Sequence, residues 1–383
     1  MNTTEPVLFD TISARGGYRI GILTLNRPEV LHALDLTMVQ AIARQMQRWQ
    51  RSKRVVAVFL QGGGDRAFSA GGDLRQLYAS MTAEDNQRYD YADRFFLAEY
   101  LNILNLHRFT KPLIAWGNGL LMGGGLGLYL AASHRVVTAS VQMAWPEVRI
   151  GLFPDVMGSW YLSRLPEPLG RWLGMSGSAL NDADAKAEGL AGYRIDHNGR
   201  HSVIEDLRRL RWGDNHAANH FEVRQCLRQA EQEHPCYNQR LWPLVSAQVA
   251  ACVDAGSGLL QTPLVITGME DAEALAWFEK GWQQVQEGCP MSVRLVNEQI
   301  RLGLFRAQGE VMAMELEMAW HCTRSADFAE GIRGRLLERT VPPQWQDSHA
   351  AEVSAESLRQ MLTSPWSDSQ HPFRSFLRQW ERG

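Results

Sequence analysis

Two carboxylates stand close together in a largely apolar stretch of the chain. The segment AWPEVRIGLFPDVMG, at 144–158, carries Glu147 and Asp155 eight positions apart, each directly after a proline. A carboxyl group among apolar residues is costly to ionise, so its pKa rises toward the range useful for proton transfer. The pattern predicts an acid–base pair. The simpler interpretations are a solvated loop carboxylate or, for Asp155, a helix N-cap.

Two glycine-rich segments also have the residues for chemistry. They read AFSAGGDL at 67–74 and WGNGLLMGGGLG at 116–127, and each lies between a predicted strand and a predicted helix. Glycine permits positive φ and close approach of a ligand, and a helix N-terminus offers free N–H donors. Two such turns facing each other would form an oxyanion hole. A phosphate cradle is disfavoured because GxxxxGK[ST] is absent, whereas simple helix packing stays open.

The predicted strands and helices around these residues alternate along the chain. The apolar runs predict strands at 18–26, 55–60, 112–116, 135–138 and 142–144, with a helix over 34–49. The continuous run VVAVFL at 55–60 is typical of a strand buried on both faces. The uncharged segment 113–132 is long enough to span a bilayer, but its six glycines favour a strand, a glycine turn and a helix. The alternation predicts an α/β core of largely parallel strands.

The second half of the chain has a different character. The spacing predicts helices within 235–280, a loop at 281–289 and two helices within 292–322 that meet near Gly303. The tail after Pro342 is polar and Ser-rich, which predicts a loose last segment.

The composition limits the function classes. The 383 residues carry a formal net charge of −3, with 45% apolar and 21% charged residues, which is ordinary for a soluble enzyme. This charge gives no support for nucleic-acid or membrane binding as the main task. The five cysteines form no CxxC pair and are predicted to be thiols. The N-terminus has no basic and apolar signal regions, so we expect a cytoplasmic protein.

The motifs, in this order and spacing, resemble the crotonase (enoyl-CoA hydratase/isomerase) superfamily. They are AFSAGGDL at 67–74, KPLIAWGNGLLMGGG at 111–125, the Pro-Glu turn at 146–147 and SALNDADAKAEGLA at 178–191. Within the superfamily the chain looks closest to 3-hydroxyisobutyryl-CoA hydrolases. That likeness is carried by FFLAEY at 95–100, PEVRIGLFPDV at 146–156 and MELEMAWHCTRSADFAEGIRGRLLER at 314–339.

The resemblance implies a fold and a division of the chain. The fold would be α/β, a ClpP/crotonase-like spiral of ββα units with an additional C-terminal helical region. The segments would be an acyl-CoA-binding core at 1–200, a helical linker region at 201–289, C-terminal helices at 290–345 and a polar tail at 346–383. Crotonase-fold proteins often form trimers through C-terminal helices. The resemblance therefore leaves two possibilities: a homo-oligomer, or a chain whose longer helical part covers that surface instead.

The resemblance also implies roles for single residues. The N–H groups of Gly72 and Gly124 would stabilise the thioester oxyanion. Glu147 would activate a water or attack the carbonyl itself, and Asp155 would position the water or pass on a proton. The substrate-binding residues would be Glu99, Ala70 and Asp73, although Glu99 has an equally weighted alternative as an acid on a helix surface.

One position separates the candidate reactions. Family hydratases carry a second glutamate three positions after the oxyanion glycine, and here that position is Gly127. A site with Glu147 alone is still compatible with an isomerase. The hydrolases that the chain resembles carry both this glutamate and the aspartate at position 155, so the resemblance implies a hydrolase that converts 3-hydroxyisobutyryl-CoA to 3-hydroxyisobutyrate and CoA, as in valine breakdown. The alternatives are an enoyl-CoA isomerase or hydratase, and a non-catalytic acyl-CoA-binding protein. No cofactor is expected, because coenzyme A arrives with the substrate.

No metal is expected either. His216 and His220 lie four positions apart, but no HExxH motif accompanies them, and a solvated pair is the simpler interpretation. Three features depart from the hydrolase pattern: Trp145, Arg149 and the turn after Asp155, VMGSW at 156–160, which has fewer glycines than expected. Trp145 and Trp160 are bulky enough to reshape an acyl pocket, and Arg149 adds a charge near the acid pair.

Overall fold

The structure is a computed structural model that describes residues 5–253, 259–260, 270–367 and 369–373. The strands are β1 (Val7–Ser13), β2 (Arg19–Leu25), β3 (Val55–Gly62), β4 (Ala67–Ser69), β5 (Leu113–Gly117), β6 (Leu120–Met122), β7 (His134–Val137), β8 (Gln142–Ala144) and β9 (Tyr193–Arg194). The first α-helices are α1 (Leu36–Arg51), α2 (Leu74–Thr82), α3 (Asp90–His107), α4 (Gly123–Leu130), α5 (Gly158–Leu162), α6 (Leu169–Ser176) and α7 (Asp182–Ala187).

The later helices are α8 (Arg200–Arg209), α9 (His216–Glu233), α10 (Trp242–Cys252), α11 (Ala272–Glu287), α12 (Pro290–Gly303), α13 (Gln308–Arg324), α14 (Ala326–Ile332) and α15 (Ala355–Met361). Shorter 3-10 turns occupy Arg15–Gly17, Pro28–Val30, Glu147–Ile150 and His197–Gly199, and a π-helical turn occupies Arg333–Leu337.

Two compact units interleave along the chain. The sheet unit comprises Met1–Gly72, Leu101–Met143 and Leu180–Arg240, and the helical unit comprises Asp73–Tyr100, Ala144–Ala179 and Leu241–Gly383. The glycine turns lie in the sheet unit and the predicted acids lie in the helical unit. The division into four successive segments stays a prediction.

A six-stranded sheet in the order β1-β2-β3-β5-β7-β9 forms the core of the sheet unit. Strand β1 pairs with β2 antiparallel, and the other neighbours are parallel. The residues of β3 are buried except for the half-buried Gln61, which confirms the prediction of a strand covered on both faces. The predicted α/β core of largely parallel strands is therefore confirmed.

A smaller sheet, in the order β4-β6-β8, carries the glycine turns. Its strands β4 and β6 are parallel neighbours, so the turns that follow them leave the same edge of the sheet. The segment 113–132 forms β5, β6 and α4, as the glycines indicated. Among the described residues, no helix has the length and apolar character needed to cross a membrane.

The helical unit corrects two expectations. The predicted loop at 281–289 is wrong, because α11 continues to Glu287. A Cβ at Gly281 would lie 2.4 Å from both Trp172 Cζ2 and Ser178 Oγ, so this glycine serves close packing and does not end the helix. The polar tail contains α15, in which Leu358 and Met361 are buried, so this part is packed. Residues 374–383 lie outside the described part of the chain. The predicted helix pair that meets at Gly303 is confirmed.

Candidate active site

The first glycine turn follows β4 and lies against the start of α4. Gly71 has φ +98°, a conformation that favours glycine, and its carbonyl accepts a hydrogen bond from the Leu34 N–H at 2.8 Å. A Cβ at Gly71 would lie 3.3 Å from the Met122 carbonyl oxygen and 3.5 Å from the Gly124 nitrogen. The Ala70 N–H donates to the Leu31 carbonyl at 2.9 Å. The two glycine turns predicted from the sequence are thus neighbours.

The second glycine turn opens helix α4. Gly123 has φ +50°, and the N-cap residue Met122 provides no side-chain cap. The first N–H groups of a helix have no intrahelical acceptor, and Gly124 is the second residue of α4, beside the first turn. Gly125 packs against Ser69, since a Cβ on this glycine would lie 2.4 Å from the serine Cβ. The position of the second hydratase glutamate, Gly127, is buried within α4 and offers no acid.

Glu147 begins a 3-10 turn in the helical unit and is 5% exposed. Neither of its carboxylate oxygens has a hydrogen-bond partner in another described residue. Burial raises the pKa of Glu147 well above its ordinary value, and the nearby Asp155 raises it further. The group is therefore not a solvated loop carboxylate. A buried, unsatisfied carboxyl group is costly and marks a functional candidate.

Asp155 is buried and lies close enough to Glu147 to couple with it electrostatically. Its Oδ2 accepts a hydrogen bond from the Tyr100 hydroxyl at 2.8 Å. Burial raises the pKa of Asp155 to about 7, while the hydrogen bond from Tyr100 opposes the rise. The N-cap interpretation is wrong, because the cap position of α5 is Met157 and no side chain caps it.

Glu99 belongs to the same group of acids. It lies on α3 and is 3% exposed, so the alternative of a helix-surface acid is wrong. Burial raises the pKa of Glu99 well above its ordinary value, and Asp155 adds to the effect. Asp73 caps α2 by accepting the Arg75 N–H at 3.2 Å. Substrate contact by Glu99, Ala70 and Asp73 stays a prediction.

A fourth acid, Glu315, was missed by the sequence analysis. It lies on α13 and is 0% exposed. Its carboxylate accepts the N–H groups of Met157 at 2.8 Å and of Ser159 at 2.9 Å. Burial raises the pKa of Glu315 to about 8, opposed by these N–H groups. The sequence feature that could have indicated its burial is the position of this acid between Met314 and Leu316, on a helix whose other residues were predicted to be core.

The residues that depart from the hydrolase pattern have separate surroundings. Trp145 is buried, and its Nε1 lies 3.4 Å from the position of a Cβ at Gly158. The ring of Trp160 is covered by the Arg164 guanidinium, 3.3 Å from its centre.

The charge of Arg149 does not offset the acids. Burial lowers the pKa of Arg149, and Arg335 lowers it further while Glu287 opposes the change. Among the described residues, the neighbours whose charge shifts the pKa of Glu147 are all acids. These neighbours therefore add to the rise in the pKa of Glu147 that burial causes. His216 and His220, predicted to be a solvated pair, are both half-buried, and the His220 ring forms a hydrogen bond with the His134 ring at 3.0 Å.

Known proteins resemble the chain over nearly its whole length. A family described as enoyl-CoA hydratase/isomerase matches residues 20–362. A relative from Danio rerio named 3-hydroxyisobutyryl-CoA hydrolase, mitochondrial, is 30% identical over 94% of this chain and 89% of its own. The relative of the same name from Homo sapiens is 29% identical over 90% of this chain and 86% of its own.

Two solved structures share the architecture. One is a carnitinyl-CoA dehydratase from Mycobacterium thermoresistibile, with a TM-score of 0.76 and 26% identity over 95% of this chain and 98% of its own. The other is an enoyl-CoA hydratase from Rhodobacter sphaeroides, with a TM-score of 0.75 and 26% identity over 94% and 98%. Together with the glycine turns, the Pro-Glu turn and the parallel sheet, these matches establish that the chain belongs to the enoyl-CoA hydratase/isomerase family and has the crotonase fold.

Proposed function

We propose that this protein hydrolyses the thioester of a short branched 3-hydroxyacyl-CoA, with 3-hydroxyisobutyryl-CoA as the preferred substrate. The observation that carries the proposal is the buried pair of Glu147 and Asp155, whose pKa values burial raises, together with Gly127 at the position of the second hydratase glutamate. The relatives named 3-hydroxyisobutyryl-CoA hydrolase support the choice of substrate.

Each group has a role in the proposed reaction. The N–H groups of Gly72 and Gly124 stabilise the negative charge that develops on the thioester oxygen. The ionised form of Glu147 takes a proton from water as the water oxygen bonds to the carbonyl carbon. The carbon–sulfur bond then breaks, and the proton passes to the departing sulfur. Asp155, held by the Tyr100 hydroxyl, orients the water and shares the proton with Glu147.

A second candidate, hydration of an enoyl-CoA, is favoured by the two solved structures named as a dehydratase and a hydratase. The reactions differ in their products, since hydrolysis releases a free thiol and hydration does not. The substrate pair 3-hydroxyisobutyryl-CoA and crotonyl-CoA therefore separates the two candidates in one assay.

The test is thiol release from 3-hydroxyisobutyryl-CoA by the wild type and by Glu147→Gln and Asp155→Asn. We expect release by the wild type and a loss of about 10³-fold in kcat for Glu147→Gln and about 10²-fold for Asp155→Asn, the range of general acid–base contributions. Glu317→Gln is the matched control, because Glu317 pairs with His371 at 3.3 Å on the outer part of α13. Hydration of crotonyl-CoA without thiol release would overturn the hydrolase proposal.

A single turnover in H₂¹⁸O tests the base role of Glu147. If Glu147 activates water, the first acid product carries ¹⁸O from the solvent. If Glu147 attacks the carbonyl itself and water then opens the anhydride at the glutamate carboxyl carbon, the ¹⁸O stays on the protein and the first product is unlabelled. The second outcome would replace the base role by a nucleophilic one and leave the reaction unchanged.

A further inference from the structure

The turn after Asp155 has a backbone that its residues do not favour. Val156 has φ +47° and Met157 has φ +75°, so two successive non-glycine residues are left-handed. For a β-branched residue such as Val156, this conformation is a genuine outlier. Such strain persists only where the surroundings impose it. Something outside the turn must therefore hold it.

Side chains from two C-terminal helices hold the turn through hydrogen bonds. From α13, the two carboxylate oxygens of Glu315 accept the N–H groups of Met157 at 2.8 Å and Ser159 at 2.9 Å. From α12, the side-chain N–H₂ of Gln299 donates to the Pro154 carbonyl at 2.6 Å and to the Ser159 hydroxyl at 2.8 Å. Both side chains are buried, so these hydrogen bonds do not compete with water.

The geometry of the turn decides where Asp155 points. The Gly158 N–H donates to the Asp155 carbonyl at 2.8 Å and closes the turn directly behind the acid. The Asp155 side chain then meets the Tyr100 hydroxyl at 2.8 Å. A Met157 peptide released from Glu315 would be free to return to negative φ, and that rotation would redirect the Asp155 carboxyl group.

We propose that Glu315 is a positioning residue for the reaction, which holds the strained turn at Val156 and Met157 and so fixes the carboxyl group of Asp155. This inference rests on the proposed function for its consequence in turnover, but not for the contact between Glu315 and the turn. It assigns a task to the C-terminal helices, which contribute no acid of the sequence-predicted pair. Glu315 acts through the turn and not on the substrate.

The first experiment is Glu315→Gln. An amide keeps one acceptor oxygen but turns its N–H₂ toward the second backbone N–H, so at least one of the two hydrogen bonds is lost. We expect kcat, per folded enzyme, to fall by about 30- to 100-fold with KM changed by less than about threefold, because a misplacement near 1 Å costs on this order. The control Glu317→Gln, on the same helix, should keep wild-type kcat.

A double-mutant cycle separates positioning from general scaffolding. Glycine takes positive φ without strain, so a Met157→Gly turn depends less on Glu315. We expect Glu315→Gln to cost under about fivefold in kcat in the Met157→Gly background. Met157→Ala is the matched control: it removes nearly the same buried side chain but keeps the Cβ, so the full cost of Glu315→Gln should remain there.

The outcomes divide cleanly. An equal cost of Glu315→Gln in the wild-type, Met157→Ala and Met157→Gly backgrounds would overturn the proposal. A Glu315→Gln chain that folds only together with Met157→Gly would support it, whereas one that folds in none of the three backgrounds would show a scaffold role and overturn it. If the wild type turns over no acyl-CoA, the proposed function fails by itself. The same cycle is then measured by unfolding free energy, where coupling between Glu315 and Met157 still supports the contact and its absence rejects it.

Discussion

The two glycine turns and the turn at 155–157, which we call the acid turn, reach left-handed backbone conformations by different means. In the sheet unit, the left-handed positions of the turns are glycines, Gly71 and Gly123, which adopt them freely. In the helical unit, the left-handed positions after Asp155 are Val156 and Met157, and side chains from α12 and α13 hold the turn. One turn is encoded locally, and the other depends on residues about 150 positions away.

This difference has a physical basis in what each turn must offer. The glycine turns present backbone N–H groups, so the absence of a side chain allows close approach, and glycine serves both needs. The acid turn must present a carboxyl group in a buried setting, where apolar side chains exclude water and raise its pKa. Val156 and Met157 are both buried, and replacing them by glycine would leave space beside the acid. The strain is then offset by the hydrogen bonds of Glu315.

The largest effect that would test this comparison is expected for Gly125→Ala. The new Cβ would lie 2.4 Å from Ser69 Cβ, so the start of α4 must move away from the first glycine turn. We expect a loss of at least about 100-fold in kcat, comparable to the removal of one oxyanion donor. The control is Gly213→Ala, where nothing lies within 4 Å of the added Cβ. Steady-state kinetics of both variants test this prediction. Wild-type activity in Gly125→Ala would contradict it.

The pH dependence of turnover sharpens the comparison further. Burial raises the pKa of Asp155 to about 7, and in the proposed reaction Asp155 shares the proton that the base Glu147 takes from water. Because a protonated Asp155 cannot share that proton, kcat/KM should rise by up to about tenfold per pH unit below neutral pH. The ionisation of Asp155 then gives the pH profile an acid limb near pH 7 in place of one near pH 4. Asp155→Asn should remove or move this limb, whereas Gly125→Ala should lower the rate and leave the limb in place. An unshifted limb in Asp155→Asn would contradict this assignment.

The smallest expected effect is an opposite dependence of stability on pH in the two units. In the helical unit, the folded pKa of Asp155 is raised, so its contribution to stability is full below about pH 4 and is lost as pH rises to about 7. In the sheet unit, burial lowers the pKa of His134 to about 3, with His220 and Arg224 adding to the effect. That contribution is full above the ordinary histidine pKa and is lost as pH falls from about 6.5 to about 3.

Unfolding free energies of Asp155→Asn and His134→Gln, measured from pH 4 to pH 8, test this contrast. Relative to the wild type, each variant should remove a slope of at most about 1.4 kcal/mol per pH unit, of opposite sign in the two cases. Slopes of the same sign in both variants would show that the two regions do not differ in this way.

Features that depend only on neighbouring residues could be predicted from the amino-acid sequence. The parallel strands follow from apolar runs, the adjacent glycine turns from glycines after two such runs, and the buried acids Glu147 and Asp155 from carboxylates beside prolines in an apolar stretch. Local pattern is sufficient there because each feature needs only its own segment to be buried or to turn. The family resemblance added Glu99, whose burial on α3 a single acid in a helix does not reveal.

The distant groups that contact the acids could not be predicted in this way, because they are brought together by the packing of the chain. The partner of Asp155 is Tyr100, 55 positions away, and the turn after Asp155 is bound by Glu315 across 158 positions. Likewise, the sequence predicts a loop that starts at Gly281, but this glycine lies inside α11. A glycine is needed there because Trp172 and Ser178 leave no room for a side chain. Such pairings depend on how helices pack, and packing selects the strained turn that the local sequence would not adopt.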